Sequence, residues 1–174
     1  MAWWKKKKLT PNDVALRLLN FSRDFVTDAI RDIEAHRGVQ QQSGSERMTN
    51  ELMYFCFFAL DYGISNHATA QQDGQEIRES LYYHWRQMLG DDADGQIMWE
   101  ASQQRLHEYA QIINEAQTDE AQKLVRLGTK LSECSGCPGY SRLVVLAPYL
   151  FKAAMDAVGV MLREAKYKQG QGCA

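Results

Sequence analysis

Apolar residues recur along most of this chain at spacings of three and four, the period of an amphipathic helix. Short runs of Gly, Ser, Asp and Gln part the stretches that carry the pattern. Thr10-Pro11-Asn12-Asp13 supplies an N-cap, a proline suited to a first helical turn and an early acid. Val14, Leu18, Phe21 and Phe25, with Leu19, Val26, Ile30 and Ile33 as a second row, then predict a helix to about His36. Ser45 opens a second helix with Met48, Leu52, Phe55, Ala59 and Tyr62 in one row and Met53, Cys56, Leu60 and Ile64 in another. Phe57 and Phe58 widen that surface beyond both rows, so other helices are expected to wrap this one on most sides.

Asp73 with Glu76 three residues on reads as a capping box for a third helix that carries Ile77, Leu81, Trp85 and Met88 and stops at Gly90. The acids of Asp91-Asp92-Ala93-Asp94-Gly95 read as a turn. A fourth helix from about Gln96 to Ala116 follows, with a weak stripe of Met98, Leu106, Tyr109 and Ile113 and a glutamine-rich face suited to solvent. Thr118-Asp119-Glu120 opens a short fifth helix with Leu124, Leu127 and Leu131 inward, ending near Ser132.

The last helix, from about Ser141 to Lys168, holds the strongest apolar run, Leu143 to Leu162, which has the length of a membrane span. Lys152, Asp156, Gly159 and Arg163 recur within it at four, three and four. A lone span would carry those charges into lipid at about 2.5–3.5 kcal/mol each. It is therefore read as a central bundle helix, with Pro148 kinking it or marking its true first turn. No stretch alternates as a strand does and no solenoid period recurs. The expected fold is all-α, a single-domain bundle of about six helices with a central apolar C-terminal helix. Residues 1–9 form a leader, 10–168 the bundle and 169–174 a tail.

The chain has 20 basic and 22 acidic residues, a formal net charge of -2. Four of the basic residues are Lys5, Lys6, Lys7 and Lys8, which leaves 16 against 22, or -6, for everything after them. An acidic body repels phosphate backbones, and Arg17, Arg23 and Arg31 are interleaved with Asp24, Asp28 and Asp32, so no nucleic-acid partner is expected. The leader differs. Trp3 and Trp4 followed by four lysines combine rings that favour a membrane–water boundary with cations that meet anionic headgroups. Trp3, Trp4, Lys5, Lys6, Lys7 and Lys8 are thus the candidate contact with a membrane surface or an unknown protein partner. The lysines run into Leu9-Thr10-Pro11 rather than an apolar segment, so no secretory signal is read. A cytoplasmic location, peripheral at the inner face of the membrane, is expected.

Four cysteines make no disulfide scaffold in a chain of this size. Cys134-Ser135-Gly136-Cys137 is the second candidate site, since thiols at this spacing close a small disulfide ring or supply half a zinc site. Glu133 and a helix C-terminus beside Cys134 should both raise its pKa. His36, His67, His84 and His107 lie on separate elements, and none follows a glutamate by three residues as a di-iron bundle requires. No cofactor or metal is expected. Tyr62, Tyr82, Tyr83, Trp85, Trp99 and Tyr109 are candidates to line an interhelical pocket, and Asp61, if buried, needs Lys152 or Arg163 as partner. The expected role is a non-enzymatic interaction or regulatory protein. The rival is a ligand-binding protein or enzyme that uses the aromatic pocket or the thiol pair.

Overall fold

The computed structural model of the chain describes the backbone of residues 9–36, 45–68, 71–116 and 119–170, and side chains over 9–35, 46–68, 73–116 and 119–165. Six helices account for nearly all of it: α1 Pro11–His36, α2 Ser45–His67, α3 Gln71–Leu89, α4 Ala93–Glu115, α5 Glu120–Cys134 and α6 Ser141–Gly170. Among the described residues there is no strand. The chain is an all-α, single-domain bundle.

Its axis of organisation is α2, which touches each of the other five helices. Every residue from Tyr54 to Leu60 is buried, as a helix apolar on all sides demands. The contacts are largely ring on ring. Phe57 stacks on Trp85 at 4.7 Å and meets the edge of Tyr82 at 5.1 Å, Phe55 meets Tyr109 edge-on at 5.1 Å, and Phe58 lies 6.1 Å from Phe151. Each fully buried side chain of this size contributes about 1.5–3 kcal/mol from leaving water, with up to about 1.5 kcal/mol more for a well-placed aromatic pair. The one polar atom of Trp85 is satisfied where it is buried, Nε1 donating to Ser102 Oγ at 3.2 Å.

The expectation that the C-terminal helix lies at the centre is corrected. α6 packs against α2, α5 and α1, but only a third of its most apolar window is buried. Val145, Tyr149 and Val160 are 59%, 67% and 45% exposed, in one row with exposed Lys152, Asp156 and Arg163. The physical reason lies in the charges. Residues that recur at the helical period all point one way, and a face that carries three of them cannot be enclosed without partners. By length and composition Ser141–Ala165 could cross a membrane, but its inner face is committed to the bundle. Pro148 lies inside the helix rather than at its first turn. α6 runs antiparallel to α1, with Arg142 3.2 Å from Asp32 at one end and Arg17 3.9 Å from Glu164 at the other.

Two helix starts also differ from the expectation. Asp92 is the N-cap of α4, its carboxylate accepting from Gly95 N at 2.8 Å, so those acids cap a helix that begins three residues earlier than read. α3 begins at Gln71, which places Asp73 within its first turn, where an acid still favours the positive end of the helix dipole.

Candidate functional site

Trp3, Trp4 and Lys5 to Lys8 lie outside the described residues, and so does Cys173. The point at which the leader joins the bundle is well defined. Thr10 N donates to Asp13 Oδ2 at 2.9 Å and Asp13 N donates to Thr10 Oγ1 at 3.1 Å, a reciprocal capping box. Pro11 takes the first helical position, where its missing N–H costs nothing. Leu9 packs against the core that includes Val14, and these two positions are those of a hydrophobic staple. Helix α1 therefore closes its own N-terminus from Leu9 onward.

The thiol pair is a helix terminus. Ser135 is the C-cap of α5, and Gly136 has a φ of 72°, in the left-handed region that glycine tolerates. Gly136 N donates to Glu133 O and Cys137 N to Ser132 O, both at 3.0 Å, the two reversed bonds of a Schellman motif. Ser132 Oγ donates to the Cys137 carbonyl and accepts from Tyr140 N at 3.1 Å, which fixes the chain on its way to α6. The Cys-x-x-Cys spacing is thus the spacing of a cap whose last residue turns back onto the core. Both cysteines are free thiols. Cys134 is buried and its carbonyl accepts from Arg47 Nε at 2.7 Å. Its pKa is raised chiefly by burial, against the nearby Arg105 charge and with Glu51 adding to the rise. The direction agrees with the sequence reading, but burial dominates where the reading named Glu133 and the helix end. A protonated, enclosed thiol is a poor nucleophile.

The six aromatic candidates do not line one pocket. Trp85 and Tyr109 are core, Tyr62, Tyr82 and Trp99 pack partly buried against it, and Tyr83 is 61% exposed. Two open clefts are each bordered by one of them, Tyr82 or Tyr62. One of about 490 Å³ is formed by Ile64, Ser65 and Ala68 of α2 and its end with Gly74, Gln75, Arg78, Glu79 and Tyr82 of α3. A smaller one of about 210 Å³ is bounded by Tyr62, Asn66, Ile113, Lys123, Phe151 and Met155, among others. Arg78 of the larger cleft is already engaged. Its Nε and Nη2 donate to Asp61 at 2.7 and 3.1 Å. This corrects the expected partner of Asp61, since Lys152 and Arg163 face outward from α6 and cannot reach across it. Burial, with the Asp61 charge adding to it, pushes the Tyr82 hydroxyl up to about 12.

The histidines remain apart. His67 and His107 are exposed, and His84 Nε2 lies 2.6 Å from Asn12 Oδ1, linking α3 to the first turn of α1. The side chain of His36 lies outside the described residues. Among the described residues no group of three or more His, Cys, Asp or Glu is placed to hold a metal ion.

One charged cluster was not anticipated. Glu51, with a side chain 7% exposed, accepts from Arg105 Nε at 2.9 Å and from Nη2 at 3.0 Å. Arg105 Nη1 also reaches Glu108 at 3.0 Å, and Lys130 Nζ lies 3.1 Å from the same carboxylate. Two acids and two bases thereby join α2, α4 and α5 without residual charge. Burial disfavours the Glu108 carboxylate, but hydrogen bonds from Gln104 and Lys130 and the Arg105 charge outweigh it and hold its pKa below the ordinary value. Tyr109, behind this cluster, has a buried hydroxyl with no hydrogen-bond partner among the described residues, and burial first, then Glu51, raises its pKa. The signal was present in the sequence as a lone acid between Met48, Leu52 and Phe55 on the apolar face of α2. Comparison of the chain with models of protein families, with curated proteins and with solved structures finds no match.

Proposed function

We propose that the protein is a small interaction or regulatory protein of the cytoplasm that works by reversible contact, its leader meeting an anionic membrane surface, rather than by catalysis. The supporting observation is the capped and stapled start of α1. Because the fold closes its first helix from Leu9 onward, two tryptophans and four lysines precede a terminus that does not need them. They are also the chain's one concentration of positive charge, on a body of net charge -6 by the residues after Lys8. At about 1 kcal/mol per lysine near an anionic leaflet, the leader supplies roughly 4 kcal/mol, with a few more from the two rings. Attachment of that strength is marginal and reversible, comparable with a single acyl chain.

The test is flotation of the full chain and of a variant lacking residues 1–8 with phosphatidylcholine vesicles, with and without phosphatidylserine, at low and high salt. The full chain is expected to float with the anionic vesicles and to be released by salt, while the shortened chain stays behind with an unchanged thermal transition. Equal behaviour of the two chains would remove the leader from the account.

A further inference from the structure

We propose that the outer face of α6 is a self-association surface on which two copies of this chain pair antiparallel, about a two-fold axis level with Ala154. The face is one continuous row of exposed residues, Val145, Tyr149, Lys152, Asp156, Val160 and Arg163. It combines an aromatic, two β-branched residues and an arginine, and aromatics and arginine are enriched where proteins meet. Neither Lys152 nor Asp156 takes part in an ion pair within the protomer among the described residues. A lysine one turn before an aspartate is the less favourable order for a pair along one helix.

The order of the row selects its occupant. A two-fold axis near residue 154 sets Lys152 of one copy against Asp156 of the other, and the same pair recurs on the far side of the axis. Tyr149 then falls against Gly159 and Val160 of the second copy. An added Cβ at Gly159 would stand 3.3 Å from Arg163 Nη1, so the guanidinium lies back over that glycine. A tyrosine ring that arrives there meets a flat surface edged by a cation. Arg163 falls opposite Val145, its methylene stem against the branched side chain. A parallel pair would instead oppose Lys152 to Lys152 and Asp156 to Asp156, so the row both favours one arrangement and penalises the other. Ala153 and Ala157 flank it, half-buried, and are small enough for two helices to approach closely.

From Val145 to Arg163 the row runs about 27 Å at 1.5 Å per residue, and one helix wide it buries only roughly 300–500 Å² per protomer, the size of a weak, transient contact. The measurement is sedimentation equilibrium of the full chain from about 5 to 500 μM, where a micromolar dimer is resolved. Lys152→Asp or Asp156→Lys alone is expected to weaken association at least about tenfold, and the double variant to restore it, since the exchanged pair still meets its opposite. Unchanged thermal transitions would show that each variant folds. A chain that is monomeric throughout, single variants that associate like the parent, or a double variant as weak as the singles would each overturn the proposal. So would a monomer whose vesicle binding falls on Tyr149→Ala, which would give the row to lipid.

Discussion

Helices α2 and α6 are the two most apolar of the molecule by sequence, and they end in opposite places. α2 is enclosed by all five others, whereas α6 keeps an outer row in solvent. The difference lies in how each carries its charges. Glu51 and Asp61 of α2 are ten residues apart, on no common exposed row, and each faces a neighbouring helix that supplies an arginine, Arg105 or Arg78. Lys152, Asp156 and Arg163 of α6 share one row and look outward together. Isolated charges on an apolar helix predict internal partners, and periodic charges predict a surface, even when the apolar content is the same.

The comparison breaks most visibly at Glu51. Its side chain is 7% exposed and that of Arg105 18%, so Glu51→Ala leaves a guanidinium enclosed with half its partners gone. The expected loss is about 3–5 kcal/mol, read as a lowered urea midpoint. Replacing both, as Glu51→Leu with Arg105→Leu, removes the charge along with its partner and is expected to recover most of it. Lys152→Ala, by contrast, should leave stability within about 0.5 kcal/mol. If Glu51→Ala and Lys152→Ala cost alike, the distinction between the two helices falls.

Next in size is an effect of pH. Cys56, on the same enclosed helix, is fully buried, and burial alone pushes its thiol up from 9.0 to about 12. Its folded pKa is raised, so its contribution is fully present below pH 9 and is lost as the pH climbs toward 12. The loss amounts to about 4 kcal/mol at most. Tyr109 and Tyr82 are raised as well and steepen the decline above pH 10. Urea unfolding at pH 8, 9, 10 and 11 is expected to show the parent losing stability faster than Cys56→Ala. Parallel declines would mean that the thiol does not feel the interior of α2.

The sequence made the helices legible because their period is local. Caps at Thr10 and Asp119 and the apolar rows of α1 and α5 lie where the pattern puts them. Packing order is not local. The run from Leu143 to Leu162 is a stronger hydrophobic signal than α2, and only the neighbours of each helix decide which is enclosed. The partners of Asp61 and Glu51 lie 17 and 54 residues away, at distances where periodicity is silent. Cys134 and Cys137 show the converse, a motif with a familiar chemical spacing at a place where the backbone also ends a helix. Gly136 between them, with its positive φ, was the sign that the spacing belonged to a cap.

The smallest contrast sharpens the comparison from the glycines. Gly128 of α5 faces α6 where Pro148, lacking an N–H, cannot bond the Val144 carbonyl four residues back. A Cβ on Gly128 would run into that carbonyl oxygen and stand 2.8 Å from Val144 Cα. Backbone cannot swing aside as a side chain can, so Gly128→Ala must push α5 and α6 apart, at about 1–3 kcal/mol. Gly159, on the outer side of α6, meets only the tip of Arg163, which rotates away freely. Alanine there adds helix propensity worth up to about 1 kcal/mol, so Gly159→Ala should leave the thermal transition unchanged or raise it. Opposite signs for the two substitutions would place the committed face of α6 on α5 and its free face outward. A loss at Gly159 as large as at Gly128 would mean that the outer row is covered within the protomer after all.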